Sequence, residues 1–492
     1  MADRPNVVIV LTDQQRADHS KREGFPLDTT PFMDSLADRG VWFDKAYTTM
    51  PVCAPARVSM LTGRYPSAHR VRTNHNIEDA YYSEDLFDVF RKHGYSTALI
   101  GKNHSHLTPE KADHWFECGH LGIREEGLEP QEQAFNQFME DTHHHLAKEA
   151  TPFPIECQIP YRLVSKAHEW IETVDGPFLL WLSFPEPHNP YQVPEPYYSM
   201  FPPESLPSPR AGADALEIKG FKFQWCRDSF KRAFPDYEQT IERARANYMG
   251  MLRLLDDQIR RFVECLPENT IIVILSDHGD FVGEYGLLRK GPEVPEALVR
   301  VPLQFAGPAF AKATAGKPLR CNAHVSIADV MPTLCEAAGI PLPDGVQGRS
   351  LWPMLTGGDW SGFESAYVEQ GFGGRHYTGE EALDPQKDGL TLPSDRSDTS
   401  DKSDWGAFDC LNSWTQSGTI RMVRKGDWKL VFDMDGRGQL YDLRSDPSEL
   451  ANLYDRPELI EKRSELLAEL LRWRLRVEDP LPLPRRRYVL KK

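Results

Sequence analysis

Four short apolar runs, each closing on polar residues of chemical use, punctuate the chain. Residues 6–12 (NVVIVLT) lead into Asp13 and Gln14, and 96–100 (STALI) lead into GKNH, with Lys102 and His104. Residues 177–184 (PFLLWLSF) lead into PEPHNPY, with His188, and 270–276 (TIIVILS) lead into Asp277 and His278. Such nearly continuous apolar runs predict strands buried on both faces of a parallel sheet. Between them, 31–39, 84–93 and 241–264 repeat apolar residues at three- and four-residue intervals, which predicts helices. Strands alternating with helices predict an α/β fold: a large mixed, mostly parallel sheet flanked by helices. Ligands of such sheets bind outside the carboxyl ends of the strands. Asp13, Lys102, His188 and Asp277, distant in sequence, are therefore expected to converge.

The pattern changes towards the C-terminus. Residues 360–415 are rich in Gly, Ser, Asp and Thr and read as a long loop or insertion. After them, TIRMVRKGDWKLVFDM and GQLYDL predict antiparallel strands with tight turns, and 456–476 an amphipathic helix. The division expected is a catalytic α/β domain over 1–360, a loop over 361–415 and a small α+β subdomain over 416–492. The Pro- and aromatic-rich stretch 190–236 reads as a surface excursion over the sheet edge, and His143–His145 as a polar helix surface.

Composition narrows the function classes. The 492 residues carry 57 Lys+Arg and 73 Asp+Glu, a net charge of −16, which argues against a bulk electrostatic grip on nucleic acid. No apolar run approaches the length of a membrane span. The opening MADRPNVVIVLTDQQ lacks the basic region and cleavage site of a signal peptide, so a cytoplasmic location is expected. The eight cysteines form no CxxC pair and suggest neither a disulfide scaffold nor a zinc site.

One cysteine stands apart. In PVCAPARVSMLTGR (51–64), Pro55 suits the first turn of a helix and Gly63 its C-terminal cap. Cys53 then lies just ahead of a helix N-terminus, where free N–H groups and the dipole favour anions. A thiolate is stabilised there, and Arg57, one turn on, is placed to fork onto an oxyanion. The other seven cysteines read as plain buried thiols.

The string C-x-P-x-R-x₄-T-G-R, here Cys53, Pro55, Arg57, Thr62, Gly63 and Arg64, resembles the signature of the formylglycine-dependent sulfatases of the alkaline phosphatase superfamily. The likeness extends to PNVVIVLTDQ, GKNH, PHNP, SDHGD and the C-terminal KGDWKL…LYDL…DP. It implies an alkaline phosphatase-like fold and conversion of Cys53 to formylglycine by a maturase. It implies a divalent cation held by Asp13, Gln14, Asp277, His278 and the modified Cys53. Arg57, Lys102, His104, His188 and Lys290 match the family's residues around nucleophile and sulfate, and Asn74 resembles a substrate contact. Where many sulfatases carry Asp-Asp and Asp-Asn, this chain has Asp13-Gln14 and Asp277-His278. That pattern also resembles choline sulfatases and phosphonate monoester hydrolases. Calcium is the cation expected, with manganese the alternative because an imidazole nitrogen suits it better. The implied reaction is hydrolysis of a sulfate ester on a small mono- or oligosaccharide, with phosphonate monoester or phosphodiester hydrolysis as the alternative. Neither nucleic acid nor membrane is an expected partner.

Overall fold

Continuous apolar runs build the central sheet. In the computed structural model, which describes residues 4–142, 144–307, 310, 319–358, 363–373 and 418–479, the run 6–12 becomes β1 (Asn6–Thr12). The chain continues through β2 (Gly40–Tyr47), β3 (Ser96–Gly101), β4 (His114–Glu117), β5 (Phe178–Ser183), β6 (Thr270–Ser276), β7 (Leu303–Ala306) and β8 (Leu319–Ser326). These eight strands form one sheet in the order β4-β3-β5-β1-β6-β7-β2-β8. Its neighbours run parallel except β7, which is antiparallel to both β6 and β2. The mixed, mostly parallel sheet expected from the sequence is the sheet observed.

β1 lies at the centre, between β5 and β6, and every residue after Asn6 in it is buried. Val7, Ile9 and Leu11 join one hydrophobic cluster with Leu99, Trp181 and Val273. Val8 and Val10 join another with Ile100, Leu182 and Ile274, covered by Leu255, Ile259 and Phe262 of the long helix Tyr237–Val263. Each such side chain contributes ~1.5–3 kcal/mol on leaving water. A one-residue slip would exchange the two faces, so the register is firmly set. It fixes where the strands end, and hence where Asp13, Lys102 and Asp277 stand.

The C-terminal part forms a four-stranded antiparallel sheet of β9 (Ser365–Gly373), β10 (Gly418–Lys425), β11 (Trp428–Asp433) and β12 (Gly438–Asp442), with the helix Ile460–Val477 packed on it. β9 falls inside the stretch 361–415 expected to be a loop. Its SAYVEQG carries side chains buried on both faces and so lacks the polar alternation of a surface strand. Residues 374–415 of that expected loop lie outside the described residues. The stretch 190–236 is also more ordered than a surface excursion. It forms short helices and the helix Phe221–Ala233, burying Tyr191, Phe223, Trp225 and Phe230 against the long helix in a cluster of their own.

No helix among the described residues is long and apolar enough to cross a membrane.

Candidate active site and metal centre

The strand ends deliver the expected convergence. The helix α1 (Pro31–Ala37) precedes β2, and after β2 the chain turns into α2 (Cys53–Thr62). α2 begins at Cys53 itself, with Val52 as its N-cap, one residue earlier than the sequence suggests. Gly63 caps it in the left-handed region, donating to Ser59 O, as the pattern predicts. Cys53 is 1% exposed. Its Sγ lies 3.2 Å from His278 Nε2, 3.2 Å from Lys290 Nζ and 3.8 Å from Asp13 Oδ1. Asn74 reaches the same point from behind, its Oδ1 accepting from Ala54 N at 3.0 Å.

Arg57 ties the strand ends together. Its Nε donates to Asp277 Oδ2 at 2.9 Å and its Nη2 to Asp13 Oδ2 at 3.0 Å. Its Nη1 meets Ser183 Oγ and the carbonyl oxygens of Lys102 and Asn103. Lys102 Nζ also donates to Asp13 Oδ2. Gly101, which precedes it, has φ +112°, and a Cβ there would fall 1.9 Å from Ser183 O, so only glycine lets β3 deliver Lys102 here. Non-glycine residues in the left-handed region gather around the pocket: Gln14 (φ 73°), His104 (φ 45°) and Arg289 (φ 63°), the last beside Lys290. Each costs about 1–2 kcal/mol and persists because the surrounding packing fixes it.

The electrostatics follow from burial and neighbours. Burial opposes ionisation of Asp13, but Lys102, His188, Arg57 and Lys290 outweigh it and hold its carboxyl well below the usual range. For Asp277, burial and the charge of Asp13 win, and its carboxyl is pushed up. Burial and Asp13 both oppose a Cys53 thiolate, yet Lys102, Lys290 and His278 bring the thiol well below its ordinary value. Burial lowers His188 and His104, so both rings are neutral bases at rest. His188 Nε2 lies 3.1 Å from Lys290 Nζ and its Nδ1 2.6 Å from Asn189 O, which places its proton on Nδ1.

A divalent cation fits this donor set. Ligand atoms of Asp13, Cys53, Asp277 and His278 all lie within 4.8 Å of one another, and all four residues are buried. His278 Nδ1 faces Gly279 O at 2.9 Å, which turns the Nε2 lone pair into the cluster, as the outer partner of a metal-bound histidine does. Burial and the charge of Asp13 push the Asp277 carboxyl up, and that is the strain that a bound cation relieves. Gln14 adjoins the set: Asp280 Oδ2 accepts from its Nε2 at 2.6 Å, so Oε1 points towards Lys290, 3.3 Å away.

All eleven sequence-derived positions are brought together around Cys53, His104 by a hydrogen bond to its thiol and Asn74 through Ala54 N. The structure adds Asp280, held by Tyr191 OH and orienting Gln14, and Ser183, which supports Arg57. It also adds His120, whose Nε2 is 2.7 Å from Lys102 Nζ. Asp280 stands in the SDHGD string and was legible there, whereas His120 sits in a stretch with neither period nor motif. His144 and His145 are not a helix surface: the helix ends at Asp141, and His144 O accepts from Asn189 Nδ2 beside the pocket. Among the described residues, Cys118, Cys157, Cys226 and Cys335 are buried thiols, while Cys265 is exposed and Cys321 partly so.

Comparison with known proteins identifies the family. The family model described as Sulfatase matches residues 5–340. An arylsulfatase of Clostridium perfringens is 28% identical, with 95% of this chain and 94% of the relative covered. An ulvan-active sulfatase of Formosa agariphila is 28% identical over 72% of this chain and 66% of its own length. The crystal structure of a phosphonate monoester hydrolase of Agrobacterium radiobacter superposes with a TM-score of 0.72, at 23% identity and 96% coverage of both chains. The chain belongs to the sulfatase family, within the alkaline phosphatase superfamily, and is a sulfatase enzyme.

Proposed function

We propose that the protein removes sulfate from a small carbohydrate sulfate ester, using a formylglycine made from Cys53 as nucleophile. The observation that carries this reading is the setting of Cys53: Sγ within 3.2 Å of both Lys290 Nζ and His278 Nε2, at a helix N-terminus beside two carboxylates. As its hydrate, formylglycine supplies two hydroxyls on one carbon, one to attack sulfur and one whose later loss of a proton releases sulfate. Asp13, Gln14, Asp277 and His278 would hold a cation, which would supply Lewis-acid stabilisation beside residue 53. Calcium is the cation proposed. Manganese is the second reading, favoured by the inward-facing His278 Nε2.

The chain's own residues do the rest. Lys102 and Lys290 direct N–H donors at the sulfate oxygens, in a dry pocket where such charges act strongly. The proton for the leaving alcohol rests on the Lys290–His188 pair, because His188 accepts at Nε2 and has already committed Nδ1 to Asn189 O. His104, neutral and with Nδ1 buried without a hydrogen-bond partner, is the base for the second hydroxyl. Asn74, fixed on the first turn of α2, contacts the substrate beside residue 53. Among relatives, the name of the ulvan-active sulfatase supports a carbohydrate substrate.

Mass spectrometry of the Cys53 peptide, from protein co-expressed with a formylglycine-generating maturase, tests the nucleophile. The aldehyde is expected, and only unmodified cysteine in an active preparation would overturn it. The second reading, hydrolysis of phosphonate monoesters or phosphodiesters, is favoured by the Gln14 and His278 pair, while Lys102 with His104 favours sulfate. Turnover of an aryl sulfate against an aryl phosphonate ester separates the two.

A further inference from the structure

His120 follows β4 and enters the pocket where no motif marks it. Its Nε2 is 2.7 Å from Lys102 Nζ, and its ring stacks on that of His188 at 3.9 Å between centroids, with 26° between planes. A lysine amine at this distance donates, so His120 accepts at Nε2 and carries its proton on Nδ1, which is buried without a hydrogen-bond partner. The arrangement repeats one layer on, where Lys290 lies 3.1 Å from His188 Nε2. Two lysine–imidazole pairs thus stand back to back, joined by stacked rings.

We propose that His120 is a positioning residue for Lys102, fixing the direction in which that lysine presents its remaining N–H to an oxygen of the substrate's sulfate. The inference rests on the reading of Lys102 as a sulfate contact. An ammonium on a four-carbon stem is free to swing and rotate. Asp13 takes one of its three N–H groups and fixes one direction. His120 takes a second, and two fixed directions of a tetrahedral nitrogen determine the third. A second carboxylate in place of His120 would hold the amine equally well but cancel its charge. A neutral imidazole orients the lysine and leaves its positive charge for the substrate. The stack extends the effect, because the ring that orients Lys102 also bounds the ring paired with Lys290.

Two full-length matured variants separate these contributions. His120→Gln keeps an acceptor within reach of Lys102 and removes the ring. His120→Phe keeps the ring and removes the acceptor. With 4-nitrophenyl sulfate, His120→Phe is expected to lower kcat/KM by ~10–100-fold, the cost of one charged hydrogen bond, and His120→Gln by about threefold or less. Inorganic sulfate binding, read by thermal shift on each protein, is expected to weaken in the same order. His120→Phe within about twofold of wild type in both measurements, or His120→Gln falling as far as His120→Phe, overturns the proposal. Should the wild type hydrolyse phenylphosphonate esters and no sulfate ester, the sulfatase reading fails. The Phe-against-Gln contrast is then read on that ester and on sulfate binding, so the two failures are distinct.

Discussion

Replacing Arg57 by lysine would keep one positive charge in the site and remove its geometry. The guanidinium reaches Asp277 and Asp13 at 2.9 and 3.0 Å, Ser183 Oγ at 2.9 Å, and the carbonyl oxygens of Lys102 and Asn103 at 2.9 and 3.2 Å. Arg57 and both carboxylates are buried, with at most 1% exposure. A lysine carries three donors on one atom and cannot serve two carboxylates and three further oxygens at once. Breaking a buried ion pair outright costs ~3–5 kcal/mol, and each charged hydrogen bond is worth ~1.5–3 kcal/mol. The retained charge offsets part of this, so ~3 kcal/mol is the loss expected for metal-depleted Arg57→Lys. Because the lost contacts orient both carboxylates of the proposed cation site, cation affinity should fall by ~10–100-fold. Thermal unfolding of the metal-depleted protein reads the first effect, and calorimetric titration with calcium and manganese the second. A variant with wild-type Tm and wild-type cation affinity would refute the idea that the fork, rather than the charge, organises the site.

Asp280→Asn should weaken cation binding by ~10-fold, because Oδ2 accepts from both Gln14 Nε2 and Tyr191 OH while Oδ1 accepts from Val282 N, and an amide must turn its own donor towards one side of these donors; unchanged titration curves would count against that role. Removal of the cation with a chelator should abolish sulfate release, and re-addition at about 100 times Kd should restore it and stabilise the fold by ~2.7 kcal/mol. Better recovery with manganese than with calcium would overturn the calcium assignment. Glu186, buried beside Asp13, has its carboxyl pushed up from 4.5 to about 8, chiefly by burial. The native state then holds a proton that the unfolded chain releases between those values, so this group's contribution to stability is greatest below pH 4.5 and falls as pH rises to about 8, by up to ~5 kcal/mol. Glu186→Gln in metal-depleted protein should match the wild-type Tm near pH 5 and exceed it increasingly towards pH 8, and a difference constant with pH would sink the assignment.

What the sequence made legible was whatever a period or a spacing encodes. β1, β3, β5 and β6 are continuous apolar runs, and their polar C-terminal neighbours were found because α/β sheets bind ligands at that end. Cys53 and Arg57 were legible because Pro55 and Gly63 bracket a helix. β9 was not, because its buried residues include Ser365, Glu369 and Gln370, which interrupt the apolar run that marks the central strands. His120 was not, because its role depends on a ring reaching Lys102 and His188 across the pocket, and no local pattern records such a contact. Asn74 was named from likeness alone, and its bond to Ala54 N supplies the local reason for its place beside Cys53.

The two groups that close over the Cys53 sulfur come late in the chain: His278 lies 225 residues further on and Lys290 237. At ~5–20 residues per second of synthesis, the thiol is made some ~10–50 s before the parts that bury it exist. Any enzyme that acts on this sulfur therefore has a natural interval on the growing chain, and it loses access once the fold closes. Slowing translation between residues 53 and 290 would lengthen that interval, whereas a faster-folding variant would shorten it. The burial that makes the site dry enough for chemistry thus also acts as a timer on its own preparation.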